Sequence, residues 1–103
     1  MALGAGNNEK GILMEEKRAK FIKWVDAEIE ANNGMVVLAQ LQAIKALCAN
    51  HHWDLDIRDA DTNVQRDLRD APVHTQAKSD LAVRYVITTR AIRQLRELGV
   101  SNG

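Results

Sequence analysis

Aromatic residues are scarce in this chain, with one Phe, one Tyr and two Trp among 103 residues. A core assembled from it must therefore be aliphatic, made of Leu, Ile, Val, Ala and Met. Cysteine is scarcer still. Cys48 stands alone, which excludes an internal disulfide and the paired-cysteine spacing of a zinc site. It falls inside an apolar helical pattern, where a buried structural thiol is expected. Net charge is also missing, since 14 basic residues face 14 acidic ones. That balance argues against a globally basic nucleic-acid binder. No apolar run approaches the roughly 20 residues that cross a bilayer. The amino-terminal stretch lacks the basic and apolar regions of a signal peptide. The expectation is a soluble, cytoplasmic protein with no membrane partner. Pro72 is the sole proline, so helices can run long on either side of it.

What is present is helical periodicity. Leu81, Tyr85, Thr88, Ile92 and Leu95 recur at steps of four and three and form one stripe. Val83, Ile87, Ala91 and Leu98 form a second apolar set beside it. A helix with so much apolar perimeter asks for two neighbours, from its own chain or from another copy. Val83, Ile87, Ala91 and Leu98 are accordingly the expected oligomer interface. Gly99 marks the helix end.

Upstream, a helix is predicted from about Gly11 to Asn32, with Ala19, Ile22, Val25 and Ile29 on one face and Phe21 and Trp24 beside it. Asn32-Asn33-Gly34 is a strong stop. A second helix is predicted from Met35 to about Asn50, with Val37 or Leu38, Leu41, Ile44 and Cys48 at helical spacing. The short link makes the two an antiparallel hairpin. His51 to Asp61 reads as an irregular connection, with weak alternation at Trp53, Leu55 and Ile57. A short helix then starts at Asp61 or Thr62, where Thr62 and Gln65 fit a capping box and Val64 and Leu68 point inward. Pro72 ends it, and Thr75 caps the long final helix. The fold expected is all-α: a small helical bundle of an antiparallel hairpin, a short helix and a long carboxy-terminal helix. Residues 1–10 are expected as a flexible leader, 11–100 as one domain and 101–103 as a flexible tail. The expected core is Ile22, Val25, Ile29, Leu38, Leu41, Ile44, Leu68, Leu81, Tyr85, Ile92 and Leu95.

Chemistry-bearing motifs are few. Asp54, Asp56, Asp59 and Asp61 alternate like calcium ligands, but Arg58 occupies a ligand position, the required glycine is absent, and Gln65 replaces the closing Glu. Ser79 and Ser101 sit in no nucleophile motif, and there is no glycine-rich phosphate loop. Cys48, His51, His52 and Asp54 contain the atoms of a thiol or metal enzyme, which is one alternative reading. No catalytic residue, metal site or cofactor is assigned. Arg90, Arg93 and Arg96, extended by Arg84 and Lys78, form a basic stripe on the final helix and define a second alternative, a small DNA-binding regulator. Lys17, Arg18, Lys20 and Lys23 make another basic patch on the first helix. A helix-turn-helix is disfavoured, because the second helix opens with apolar Met35, Val36, Val37 and Leu38.

The stretch from Leu81-Ala82-Val83-Arg84-Tyr85 through Arg93-Gln94-Leu95-Arg96-Glu97-Leu98-Gly99-Val100-Ser101 resembles the end of some bacteriophage terminase small subunits. In those proteins a long helix finishes in a similar Leu-Arg-Glu-Leu-Gly phrase. The resemblance implies a non-enzymatic, ring-forming adaptor that engages viral DNA and a packaging ATPase in the host cytoplasm. The leading expectation is a self-associating helical adaptor of that kind.

Overall fold

The computed structural model describes residues 2–100, with side chains from residue 13 onward. The described residues form four helices: α1 (Ala2–Ala31), α2 (Met35–Leu47), α3 (Trp53–Asp70) and α4 (Gln76–Glu97). Among the described residues there is no strand, and no helix is long and apolar enough to cross a membrane. The protein is a small all-α bundle. The expected tail at 101–103 lies outside the described residues. The expected boundary near Gly11 is not where α1 begins, because the helix extends back over the segment read as a leader.

The bundle is two helix hairpins. α1 and α2 run antiparallel: Lys45 Nζ meets Asp26 Oδ1 at 2.7 Å, and Arg18 reaches back to the carbonyl of Cys48 at 3.3 Å. Asn32 helps stop α1 by donating to the Glu28 carbonyl at 2.8 Å. α3 and α4 are also antiparallel, since Thr88 donates to Asp61 at 2.7 Å while Arg58 donates to the Val100 carbonyl at 2.7 Å. α4 packs on α2 as well as α3, and Arg84 Nε donates to the buried Gln40 Oε1 at 2.8 Å across the α2–α4 seam.

α3 departs most from the expectation. It begins at Trp53, so the segment read as an irregular connection is mostly helix, and Thr62 lies mid-helix with its hydroxyl donating to the Arg58 carbonyl. Trp53, Ile57 and Val64 are buried at steps of four and seven, with Leu68 half-buried four further on. The apparent alternation fails at Leu55, which is 45% exposed. Asp54 and Asp56 fall in the first turn of α3, where carboxylates favour the positive end of the helix dipole.

The core unites Phe21 and Val25 of α1, Leu41, Ile44 and Cys48 of α2, Trp53 and Ile57 of α3, and Ile87, Ala91, Leu95 and Val100. Each large side chain removed from water contributes roughly 1.5–3 kcal/mol before conformational entropy is subtracted. Of the expected core, Val25, Leu41, Ile44 and Leu95 are fully buried; Ile22, Ile29 and Ile92 pack around them, and Leu38, Leu68, Leu81 and Tyr85 are half-buried. Ala19 faces solvent, because the inward face of α1 centres on Phe21 and Val25.

α4 starts as expected, with the Thr75 hydroxyl accepting from the Lys78 amide at 3.1 Å. It ends in a Schellman turn. Gly99 takes φ +76°, its amide donates to the Arg96 carbonyl, and the Val100 amide donates to the Leu95 carbonyl at 2.8 Å. The last carbonyls are then held by cations, Lys17 on Gly99 at 3.0 Å and Arg58 on Val100. Arg18 does the same for α2 through Cys48. Positive side chains at helix carboxyl ends offset the negative pole of the dipole.

Candidate functional site

Cys48 is 1% exposed, and its Sγ donates to the Ile44 carbonyl at 3.4 Å, so the thiol is a packed core group. Burial pushes its pKa up from 9.0 to about 11, with Asp26 adding to the rise and Arg18 and Lys45 opposing it. A thiol held protonated to that pH is a poor nucleophile at neutrality. His51 and His52 are exposed on the α2–α3 turn, ring to ring at 4.5 Å. Among the described residues no group of three or more His, Cys, Asp or Glu is placed to hold a metal ion. Asp56 accepts from Asn50 at the start of α3, and Asp61 accepts from Thr88 across the α3–α4 contact.

Of the expected interface set, Ile87 and Ala91 are 3% and 0% exposed. They belong to the chain's own core and do not form an outer face. Leu98 is half-buried against that core, and only Val83, at 37%, is exposed. The physical reason is that α4 lies between two helices of the same chain. α3 takes the side of Thr88 and α2 takes the side of Arg84, so the buried arc runs between the two apolar sets.

The four arginines separate for a related reason. Each step of three residues turns about 60° short of a full circle, so a stripe at that spacing winds away from any one face. Arg84 lies against Gln40. Arg90 approaches Glu28 of α1 at 3.8 Å. Arg93 and Arg96 are exposed and have no carboxylate partner among the described residues. On α1, Lys17 and Arg18 hold helix ends, which leaves Lys20 and Lys23 as the exposed part of that basic patch.

Two surface features emerge that the spacing of residues did not single out. The first is a groove of about 530 Å³ between α2 and α4, lined by Met35, Val36, Ala39, Gln40, Ala43, Asp80 and Arg84. Met35 stands 88% exposed at its edge. Small Ala39 and Ala43 follow at steps of four on the same helix, and both are exposed. The second is a groove of about 310 Å³ between α1 and α4, lined by Trp24, Glu28, Arg90, Arg93 and Gln94. The sequence contained a signal for the first, an apolar start to α2 after a flexible stop, but nothing in it said that Met35 faces water. For the second there was none, because Trp24 and Arg93 are far apart in the chain.

Comparison with protein-family models, with curated proteins and with solved structures gives no match to this chain.

Proposed function

We propose that this protein is a non-enzymatic helical interaction module that pairs with a second copy of itself through the α2–α4 groove. The observation that carries this reading is a large apolar side chain, Met35, left 88% exposed next to a depression floored by alanines. About a two-fold axis, two α2 helices lie antiparallel and each Met35 settles over the partner's alanine surface. Knob and hole then sit on one patch, as a closed two-fold contact requires. The flexible thioether adapts to such a shallow seat. Asp80 and Arg84 on the rim supply both signs of charge, so the same edge can face a copy of itself.

Sedimentation equilibrium from low to high micromolar protein tests this. The parent chain is expected to pass from monomer to dimer, and Met35→Glu to stay monomeric with unchanged helicity. A parent that stays monomeric throughout overturns the reading. The narrower proposal is a packaging adaptor like the terminase small subunits, with viral DNA and an ATPase as partners. Its support is the resemblance over α4 alone. A two-fold pair closes at two copies, whereas a ring needs a head-to-tail contact. Particle mass by light scattering distinguishes them.

A further inference from the structure

α1 and α4 run antiparallel, with Lys17 against Gly99 at one end and Glu28 against Arg90 at the other. Between these points lies the groove that contains Trp24. We propose that this groove binds one unpaired nucleotide, with the base stacked on Trp24 and the phosphate held by Arg93. Its volume of about 310 Å³ is at the small end for a ligand site, the scale of one nucleotide.

The indole is set in place before any ligand arrives. Trp24 is half-buried and packs on Phe21 with ring centroids 5.5 Å apart, so stacking a base on its open part costs little side-chain freedom. Arg93 is exposed, and a guanidinium matches phosphate oxygens with two parallel donors. Arg90 meets Glu28 only at 3.8 Å, beyond hydrogen-bond distance, so its donors are available too. Exposed Lys20, one turn before Trp24, extends the positive charge along α1. Glu28 gives the groove a direction. Its carboxylate repels phosphate and accepts from the exocyclic amine of cytosine or adenine, where thymine and guanine present a carbonyl. Gln94 adds a donor and an acceptor to the base edge. An acidic peptide would meet Glu28 with no compensating ring to stack.

The test uses the full chain at low salt. Trp53 is 4% exposed in the core and gives a constant background, so quenching reports Trp24. Cytidine monophosphate and a short oligo-dC, the latter also labelled for anisotropy, are the probes. Saturable quenching is expected. Tighter binding of oligo-dC than of the mononucleotide identifies a strand as the source, and equal binding identifies a free nucleotide. Trp24→Leu is expected to weaken binding about tenfold, as loss of one base stack does. Arg93→Ala, at an exposed position and with helicity checked by circular dichroism, should weaken binding and lower the log–log salt slope by about 0.7. The proposal is overturned if neither probe binds at high micromolar protein, if Arg93→Ala binds like the parent, or if duplex DNA binds as tightly as oligo-dC. Equal affinity for oligo-dT overturns the role given to Glu28.

Discussion

Replacing Gly99 with alanine tests the end of α4 directly. Gly99 has φ +76°, a region where a side chain costs about 1–2 kcal/mol. A Cβ there would touch Lys17 Nζ at 3.4 Å, the flexible tip of a side chain that can adjust, so the cost comes mainly from the backbone. Against this loss, alanine restricts the unfolded chain and returns about 0.4–1 kcal/mol. The balance is a destabilisation of about 1 kcal/mol, or about 4–8 °C in melting temperature for a domain of this size. Gly34→Ala is the matched control. Gly34 has φ −76° and ψ 137°, open to any residue, and its added Cβ would sit 3.7 Å from Val37, an ordinary contact. Its stability should stay within about 0.5 kcal/mol of the parent, because a weaker amino-terminal cap offsets the unfolded-state gain. Urea titrations followed by circular dichroism at one temperature compare the three proteins. Equal losses for the two variants, or none for Gly99→Ala, would refute the argument from backbone conformation.

Two further outcomes follow from the core. Leu41 is fully buried in α2, so Leu41→Ala should cost about 2–5 kcal/mol in a urea titration, and Leu41→Asp should abolish the cooperative transition by placing a charge there; a Leu41→Asp protein melting within a few degrees of the parent would remove α2 from the core. The folded Cys48 thiol ionises at about 11 against 9.0 when unfolded. Below pH 9 both states hold the proton and the contribution is complete. From pH 9 to 11 the unfolded state loses its proton first, so stability falls as pH rises. Parent and Cys48→Ala should therefore converge in urea midpoint, or cross, over that window, and parallel pH profiles would show that the thiol is not held protonated by the fold.

Much of the architecture was legible along the chain. The stop at Asn32-Asn33-Gly34, the Thr75 cap, the break at Pro72 and the turn at Gly99 each depend on a few adjacent residues, and the structure has helix ends at all four places. The sequence pattern shortens α3 because Trp53-Asp54-Leu55-Asp56-Ile57 mimics a strand over five residues. Its helical period appears only when Trp53 and Ile57 are joined to Val64 and Leu68. The candidate site was far less legible. Spacing put Arg84, Arg90, Arg93 and Arg96 on one helix, yet each meets a different neighbour or none. It also put Ile87 and Ala91 outside, although both are enclosed.

The sequence by itself determined that this protein is helical, where most of its helices end, and that its final helix has apolar residues on much of its circumference. Those are consequences of local backbone preference and of a 3.6-residue period. The tertiary structure decided which arc of that circumference is inside, because the arc depends on the directions from which α2 and α3 approach α4. It also decided which distant residues share a surface. The approach of α1 to α4 puts Trp24 and Arg93 in the lining of one groove, and docking α2 against α4 leaves Met35 at the edge of another.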